Sequence, residues 1–92
     1  MIAIKNEREL VSMRRACRIT ANARALAGSM VKPGVSTRSI DKAVHDYIVA
    51  QGAKPSFLNY HGFPASTCIS VNNTVIHGIP GGYVLQEGDI VS

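Results

Sequence analysis

A chain of 92 residues that is 46% hydrophobic and 17% charged has the composition of an ordinary globular protein, which excludes a disordered or fibrous polymer. Its apolar runs are broken every few residues, far short of the roughly 18 to 20 apolar residues of a spanning helix. No basic start, apolar stretch and small-residue cleavage site opens the chain, so the expected compartment is the cytoplasm. The net charge of +4 is unevenly spread: all ten Lys and Arg lie between Lys5 and Lys54, and beyond them only Glu87 and Asp89 are charged. Cys17 and Cys68 are too few for a disulfide framework, and neither belongs to a paired zinc-ligand spacing.

The first element predicted is a helix over residues 7–28. Asn6 can cap it and Glu9, three residues on, can bond back to the cap. Leu10, Met13, Cys17 and Ala21 recur at spacings of three or four and define its expected apolar face, and no Gly or Pro intervenes before Gly28. Arg14, Arg15 and Arg18 form a basic flank, read as a solvated face or as an approach to an acidic surface such as ribosomal RNA.

Lys32-Pro33-Gly34 is a turn signal. A second helix is expected from Thr37 to Gln51, capped by Ser36 or Thr37, with Ile40, Val44, Tyr47 and Ile48 as its apolar stripe and Gly52 as its left-handed terminator. His45, one residue off that stripe, reads as a surface or boundary residue. Beyond Pro55 the period changes. Residues 68–71 and 74–77 are β-prone runs joined by Asn72-Asn73 and are expected to form antiparallel strands, with a further strand opening at Asp89-Ile90-Val91.

Candidate chemistry concentrates in Asn59-Tyr60-His61-Gly62-Phe63-Pro64, where two aromatics and a histidine crowd a connecting loop; such a cluster lines a site or covers the end of a sheet. His77 follows a β-prone run and reads either as a structural residue or as a proton donor or hydrogen-bonding group. Cys68, His61 and His77 are all legitimate zinc ligands but lack the short local spacing of zinc motifs, so no metal ligand is assigned within the chain. Cys68 with either histidine lacks any local signature of a nucleophilic site, and Gly81-Gly82 lacks the Lys and Ser or Thr of a phosphate loop.

Three segments in order resemble one family. They are Val31-Lys32-Pro33-Gly34-Val35-Ser36-Thr37, the run Phe57 to Asn72 with its Tyr60-His61-Gly62-Phe63-Pro64 core, and Val75-Ile76-His77-Gly78-Ile79-Pro80 with Glu87-Gly88-Asp89-Ile90-Val91-Ser92. Together they resemble the type I methionine aminopeptidases, over essentially the whole chain from Ile4 onward. The resemblance implies the amino-terminal half of the α/β pita-bread fold, two helices followed by antiparallel strands. Residues 1–92 are then the front portion of one catalytic domain, ending within a strand.

It also implies a metal-dependent aminopeptidase that removes the initiator methionine from nascent proteins. Two divalent ions (Co, Mn, Fe, Zn or Ni), held in the family by two Asp, one His and two Glu, activate a bridging water. The first of those ligands is expected about two residues beyond Ser92. The chain alone is therefore expected to lack the dinuclear site and to be inactive, and Asp89, in the Glu-Gly-Asp turn, is not that ligand.

Carried over by position, His77 resembles the histidine that hydrogen-bonds near the scissile amide nitrogen, while Tyr60, Phe63 and Cys68 match positions lining the methionine side-chain pocket. Phe57 falls where some relatives carry cysteine, Phe63 where some carry tyrosine, and His61 matches a histidine beside the pocket. The partners implied are polypeptide amino termini beginning with Met, with scope for ribosome association, no membrane, and a monomeric parent. The alternative function is a non-catalytic pita-bread module binding ribosome or RNA. A finished small protein of structural or regulatory role has no positive support in the residues.

Overall fold

A computed structural model describes all residues from Met1 to Ser92. Two helices, α1 (Glu7–Met30) and α2 (Thr37–Ala50), pack against one another, and the remaining chain wraps α2 as irregular backbone with one 3₁₀ turn at Tyr60–Gly62. The molecule is elongated, 46 × 28 × 22 Å, because the 24 residues of α1 span about 36 Å at 1.5 Å per residue.

The ends of both helices follow the expected local chemistry. Asn6 accepts a hydrogen bond from the Glu9 N–H at 2.9 Å, and Glu9 accepts one from the Asn6 N–H at 3.2 Å, closing a capping box. Helix α1 continues two residues past the expected end, through Gly28 and Ser29 to Met30. At α2 the Ser36 hydroxyl accepts from the Ser39 N–H at 3.1 Å. Gly52 takes φ 77° just beyond the carboxyl end, a conformation that costs a residue with a Cβ.

The packed face of α1 is not the expected one. Met13, Cys17 and Ala21 are exposed and Leu10 only half-buried, whereas Ile19, Ala23, Leu26 and Met30 turn toward the rest of the molecule, with Ala23 5% exposed. Both sets repeat at helical spacing, and at 100° per residue they lie on nearly opposite sides of the helix. Small residues decided between them: with Ala16, Ala23 and Ala27 on one side, α2 and the loop after it can approach closely. Arg15, though exposed, also makes a tertiary contact. Its Nη2 donates to the Gln51 carbonyl at 2.8 Å, tying α1 to the carboxyl end of α2, where free carbonyls favour a cation.

The stripe on α2 matches the expectation, with Ile40 and Val44 buried and Tyr47 and Ile48 half-buried. Ile40, at 2% exposure, is the largest fully buried side chain, and Leu85 and Ala65 complete the core around it.

The expected antiparallel strands do not form. In their place are two isolated antiparallel bridges, Ser36↔Val84 and Val71↔Val91. Around the second, Ser70 and Ser92 exchange both backbone hydrogen bonds at 2.8 Å and the Asn72 N–H donates to the Ile90 carbonyl at 2.8 Å. On the Asn72 side the pairing stops at a left-handed residue (φ 52°), which interrupts an extended ladder, and His77 (φ 57°) does the same at the end of the second β-prone run. The Asn72-Asn73 pair does turn the chain, with the Thr74 N–H donating to the Val71 carbonyl at 3.1 Å. The arms then meet at Gly78, which bonds to Ile69 and Ser70, leaving Val75 and Ile76 exposed.

The irregular half is held instead by α2. The Thr37 N–H donates to the Tyr83 carbonyl and the Arg38 N–H to the Gly81 carbonyl, each at 3.0 Å. The buried Thr37 hydroxyl donates to the Gly81 carbonyl at 3.1 Å and accepts from the Gly81 N–H at 2.8 Å. Gly34 and Leu85 close the same junction: the Gly34 N–H donates to the Leu85 carbonyl at 2.8 Å and the Leu85 N–H to the Val35 carbonyl at 2.9 Å. The first N–H groups of α2, which no helical carbonyl can satisfy, thus find partners in residues 81–83 and in the cap.

Truncating the central side chain should cost more than removing a cap. Ile40→Ala is expected to lower stability by about 2–5 kcal/mol, against about 0.5–2 kcal/mol for Asn6→Ala, measured by urea denaturation followed by circular dichroism.

Candidate functional site

The loop after α2 carries most of the candidate side chains. The Tyr60 N–H donates to the Phe57 carbonyl, the Phe63 N–H to the Tyr60 carbonyl, and the Asn59 N–H back to the Phe63 carbonyl at 2.8 Å, making residues 57–63 a closed turn. Asn59 (φ 65°) and His61 (φ 47°) are both left-handed within it, the price of bending so sharply. The Phe57 and Phe63 rings meet edge to face with centroids 6.5 Å apart, and Tyr60 and His61 do so at 4.4 Å. Tyr60 is 64% and Phe57 51% exposed, so the turn displays its aromatics rather than burying them.

Cys68 is half-buried and shares with Phe57 an open, mainly apolar groove of about 440 Å³ floored by Ile19, Ala23, Val44 and Ile48, with Arg24 and Lys54 also in its wall. Tyr60, His61 and Phe63 do not line it. The structure therefore brings Phe57, Tyr60, His61 and Phe63 into one turn and places Cys68 with Phe57 on the groove.

His77 stands apart. No hydrogen bond or ring contact joins it to the aromatic turn, and its place is set by its neighbour Gly78. The Ile69 N–H donates to the Gly78 carbonyl at 2.9 Å, and the Gly78 N–H donates to the buried Ser70 hydroxyl at 3.1 Å. A Cβ at residue 78 would collide with the Ile69 carbonyl, so only glycine permits this approach. The left-handed φ of 57° at His77 is uncommon for a residue with a side chain, and such strain persists where surrounding contacts impose it.

Two further clusters escaped the sequence reading. Asp41 and His45, one turn apart on α2, hold the segment before Cys68. Asp41 Oδ1 accepts from the N–H groups of Ser66 and Thr67 and from the Thr67 hydroxyl, and His45 Nδ1 shares a 2.7 Å hydrogen bond with the Ser66 hydroxyl. His45 is thus a half-buried anchor, the boundary position of the two expected, with an added hydrogen-bonding role. The only sequence signal for this pair was its i, i+4 spacing.

The second cluster centres on Asp89. It accepts from the Asn72 side-chain amide, the Gln86 N–H and the Tyr83 hydroxyl at 2.8–2.9 Å, and these three hydrogen bonds, that of Asn72 foremost, hold its carboxyl below the usual carboxylate range. The Tyr83 hydroxyl, bonded to that carboxylate, is pushed above the ordinary tyrosine value. Asp89 is consequently committed to closing the 86–89 turn. No three His, Cys, Asp or Glu side chains of the chain converge as a group that could hold a metal ion.

Residues 11–92 match the family model described as metallopeptidase family M24. The chain is 50% identical over all its 92 residues to a methionine aminopeptidase of Clostridium perfringens and 48% identical to methionine aminopeptidase 1 of Bacillus subtilis. Among solved structures, 99% of it superposes on the methionine aminopeptidase of Rickettsia prowazekii (TM-score 0.92, 42% identity) and on that of Thermotoga maritima (TM-score 0.91, 35% identity). It spans only 37% of the length of each of these four proteins. The path of the chain through its second half is therefore similar to that of the amino-terminal part of those enzymes.

The Asp89 cluster has a defined pH response. A depressed carboxyl pKa contributes stability that is present above the unfolded value of 3.8 and lost as pH falls through the lower folded value; a raised tyrosine pKa contributes stability present below 10.0 and lost as pH climbs through the higher folded value. Tyr83→Phe, which deletes one donor, should move the Asp89 titration upward toward the ordinary carboxylate value, as read by carboxyl carbon NMR shifts.

Proposed function

The chain belongs to metallopeptidase family M24, and from that premise we propose that the protein it represents is a metal-dependent aminopeptidase that removes amino-terminal methionine from newly made polypeptides. The observation that carries this reading is the likeness to methionine aminopeptidases along every part of the chain, in sequence and in backbone.

In this reading the chain supplies the substrate side of the site. Phe57, Tyr60 and Phe63 on the closed turn, and Cys68 on the groove that Phe57 adjoins, contribute the apolar, polarizable groups suited to a methionine thioether. His61 supports the turn through its contact with Tyr60. His77, kept in its left-handed conformation by the Gly78 pairing, offers an imidazole nitrogen to the scissile amide.

Two divalent ions, Co, Mn, Fe, Zn or Ni, would supply a nucleophilic water and charge stabilisation when bound. By the likeness to methionine aminopeptidases, of which this chain spans 37%, their ligands are assigned to the remainder of the protein. Residues 1–92 are thus the amino-terminal portion of one catalytic domain, inactive alone. The substrates are polypeptide amino termini met in the cytoplasm, near or on the ribosome, by a monomeric enzyme. No helix of the chain is long and apolar enough to cross a membrane.

The test uses the full-length protein with a Met-Ala-Ser peptide. Release of methionine dependent on one of those divalent ions is expected, with His77→Ala lowering kcat/KM by about 10²- to 10³-fold, the usual cost of one transition-state hydrogen bond. No hydrolysis with any of the five metals would remove the proposal.

A further inference from the structure

We infer that Asp41 is a positioning residue for the methionine pocket, acting from α2 through Ser66 and Thr67 on the wall that carries Cys68; the inference rests on the pocket reading above. One oxygen, Asp41 Oδ1, gathers three donors: the Ser66 N–H at 3.0 Å, the Thr67 N–H at 2.8 Å and the Thr67 hydroxyl at 2.7 Å. One helical turn further on, His45 Nδ1 holds the Ser66 hydroxyl at 2.7 Å. Four hydrogen bonds thus clamp a dipeptide to a rigid helix directly before Cys68.

The clamp is partly out of water, which makes it stiff. Ser66 is 6% exposed, and Asp41, Thr67 and His45 are half-buried. Hydrogen bonds to an ionised acceptor are shorter and stronger than neutral ones, and withdrawing that acceptor strands two backbone donors.

Downstream the constraint continues. Ile69 pairs with Gly78, and the Ser70 hydroxyl takes the Gly78 N–H. A continuous path of hydrogen bonds and backbone therefore runs from Asp41 through Cys68 to Gly78, the residue that sets His77. Asp41 touches no substrate in this arrangement. Its effect is to fix where the thiol and, behind it, the imidazole stand relative to α2.

Two readouts on the full-length protein test this. Labelling of Cys68 by a small maleimide, followed by peptide mass spectrometry, should speed up in the order wild type, His45→Ala, Asp41→Asn, Asp41→Ala, while Cys17, already exposed, labels at a constant rate. In the peptidase assay Asp41→Ala should raise KM for Met-Ala-Ser and narrow the preference for methionine over norleucine, with kcat falling less. The loss in kcat/KM should lie between a few-fold and about a hundredfold, the cost of roughly an ångström of misplacement.

Unchanged Cys68 labelling in Asp41→Ala overturns the inference. So does a fall in kcat with KM and side-chain preference intact, the result of a smaller folded fraction alone. If the unaltered protein hydrolyses no methionyl peptide, the aminopeptidase reading falls by itself, and faster Cys68 labelling in Asp41→Ala still supports Asp41 as the positioning group.

Discussion

The second half of this chain has almost no regular structure, and its order depends on the unsatisfied hydrogen-bonding groups of one fourteen-residue helix. Every helix leaves its first N–H groups without helical partners, and water or capping side chains usually take them. In α2, Ser36 takes one, while Tyr83 and Gly81 accept from Thr37 and Arg38. The helix end acts as a short receptor edge for residues 81–85, with the buried Thr37 hydroxyl completing the set in both directions. Asp41 and His45 repeat the device on the side of the helix, binding residues 66 and 67. Apolar burial alone would leave these loops poorly fixed, since the core comprises Ile40, Val44, Ala23, Ala65 and Leu85 and little else.

What the sequence disclosed and what it hid divide by the range of the interaction. The Asn6–Glu9 box, the Ser36 cap, the Ile40 and Val44 stripe and the Gly52 terminator all act within a few residues, and each stands where local chemistry put it. The face of α1 was misjudged because periodicity reports that a face repeats, and here two faces repeat; close approach selected the alanine side over the larger Met13 and Cys17. Residues 68–77 have strand composition without strand structure, as β-branched content signals fit to a pleated surface, while a ladder also requires a partner at the right register. The left-handed Asn72 and His77 remove that register.

The candidate site follows the same division. Its individual members, from Phe57 to His77, were recognisable as residue types in an ordered series. The side chains that support them were not. Nothing local marks Asp41, whose donors lie 25 and 26 positions away, and the turn that marks Asp89 does not disclose its bond to Asn72, 17 positions back. His45 was discounted for lying off the apolar stripe, which is where a residue must lie to reach a loop packed beside the helix instead of beneath it. The grouping of Phe57, Tyr60, His61 and Phe63 on a single exposed turn, with Cys68 in a separate wall, also has no counterpart in sequence spacing.

The bond from Thr37 to Gly81 spans 44 positions, and all its partners on α2 precede the segments they bind. During synthesis α2 therefore leaves the exit tunnel ahead of residues 66–67 and 81–85, by an interval on the order of seconds at the usual elongation rate. Helices form within microseconds. The segments that α2 binds thus follow it out in chain order, and the loop-closure entropy of a long-range, strandless half is met one segment at a time.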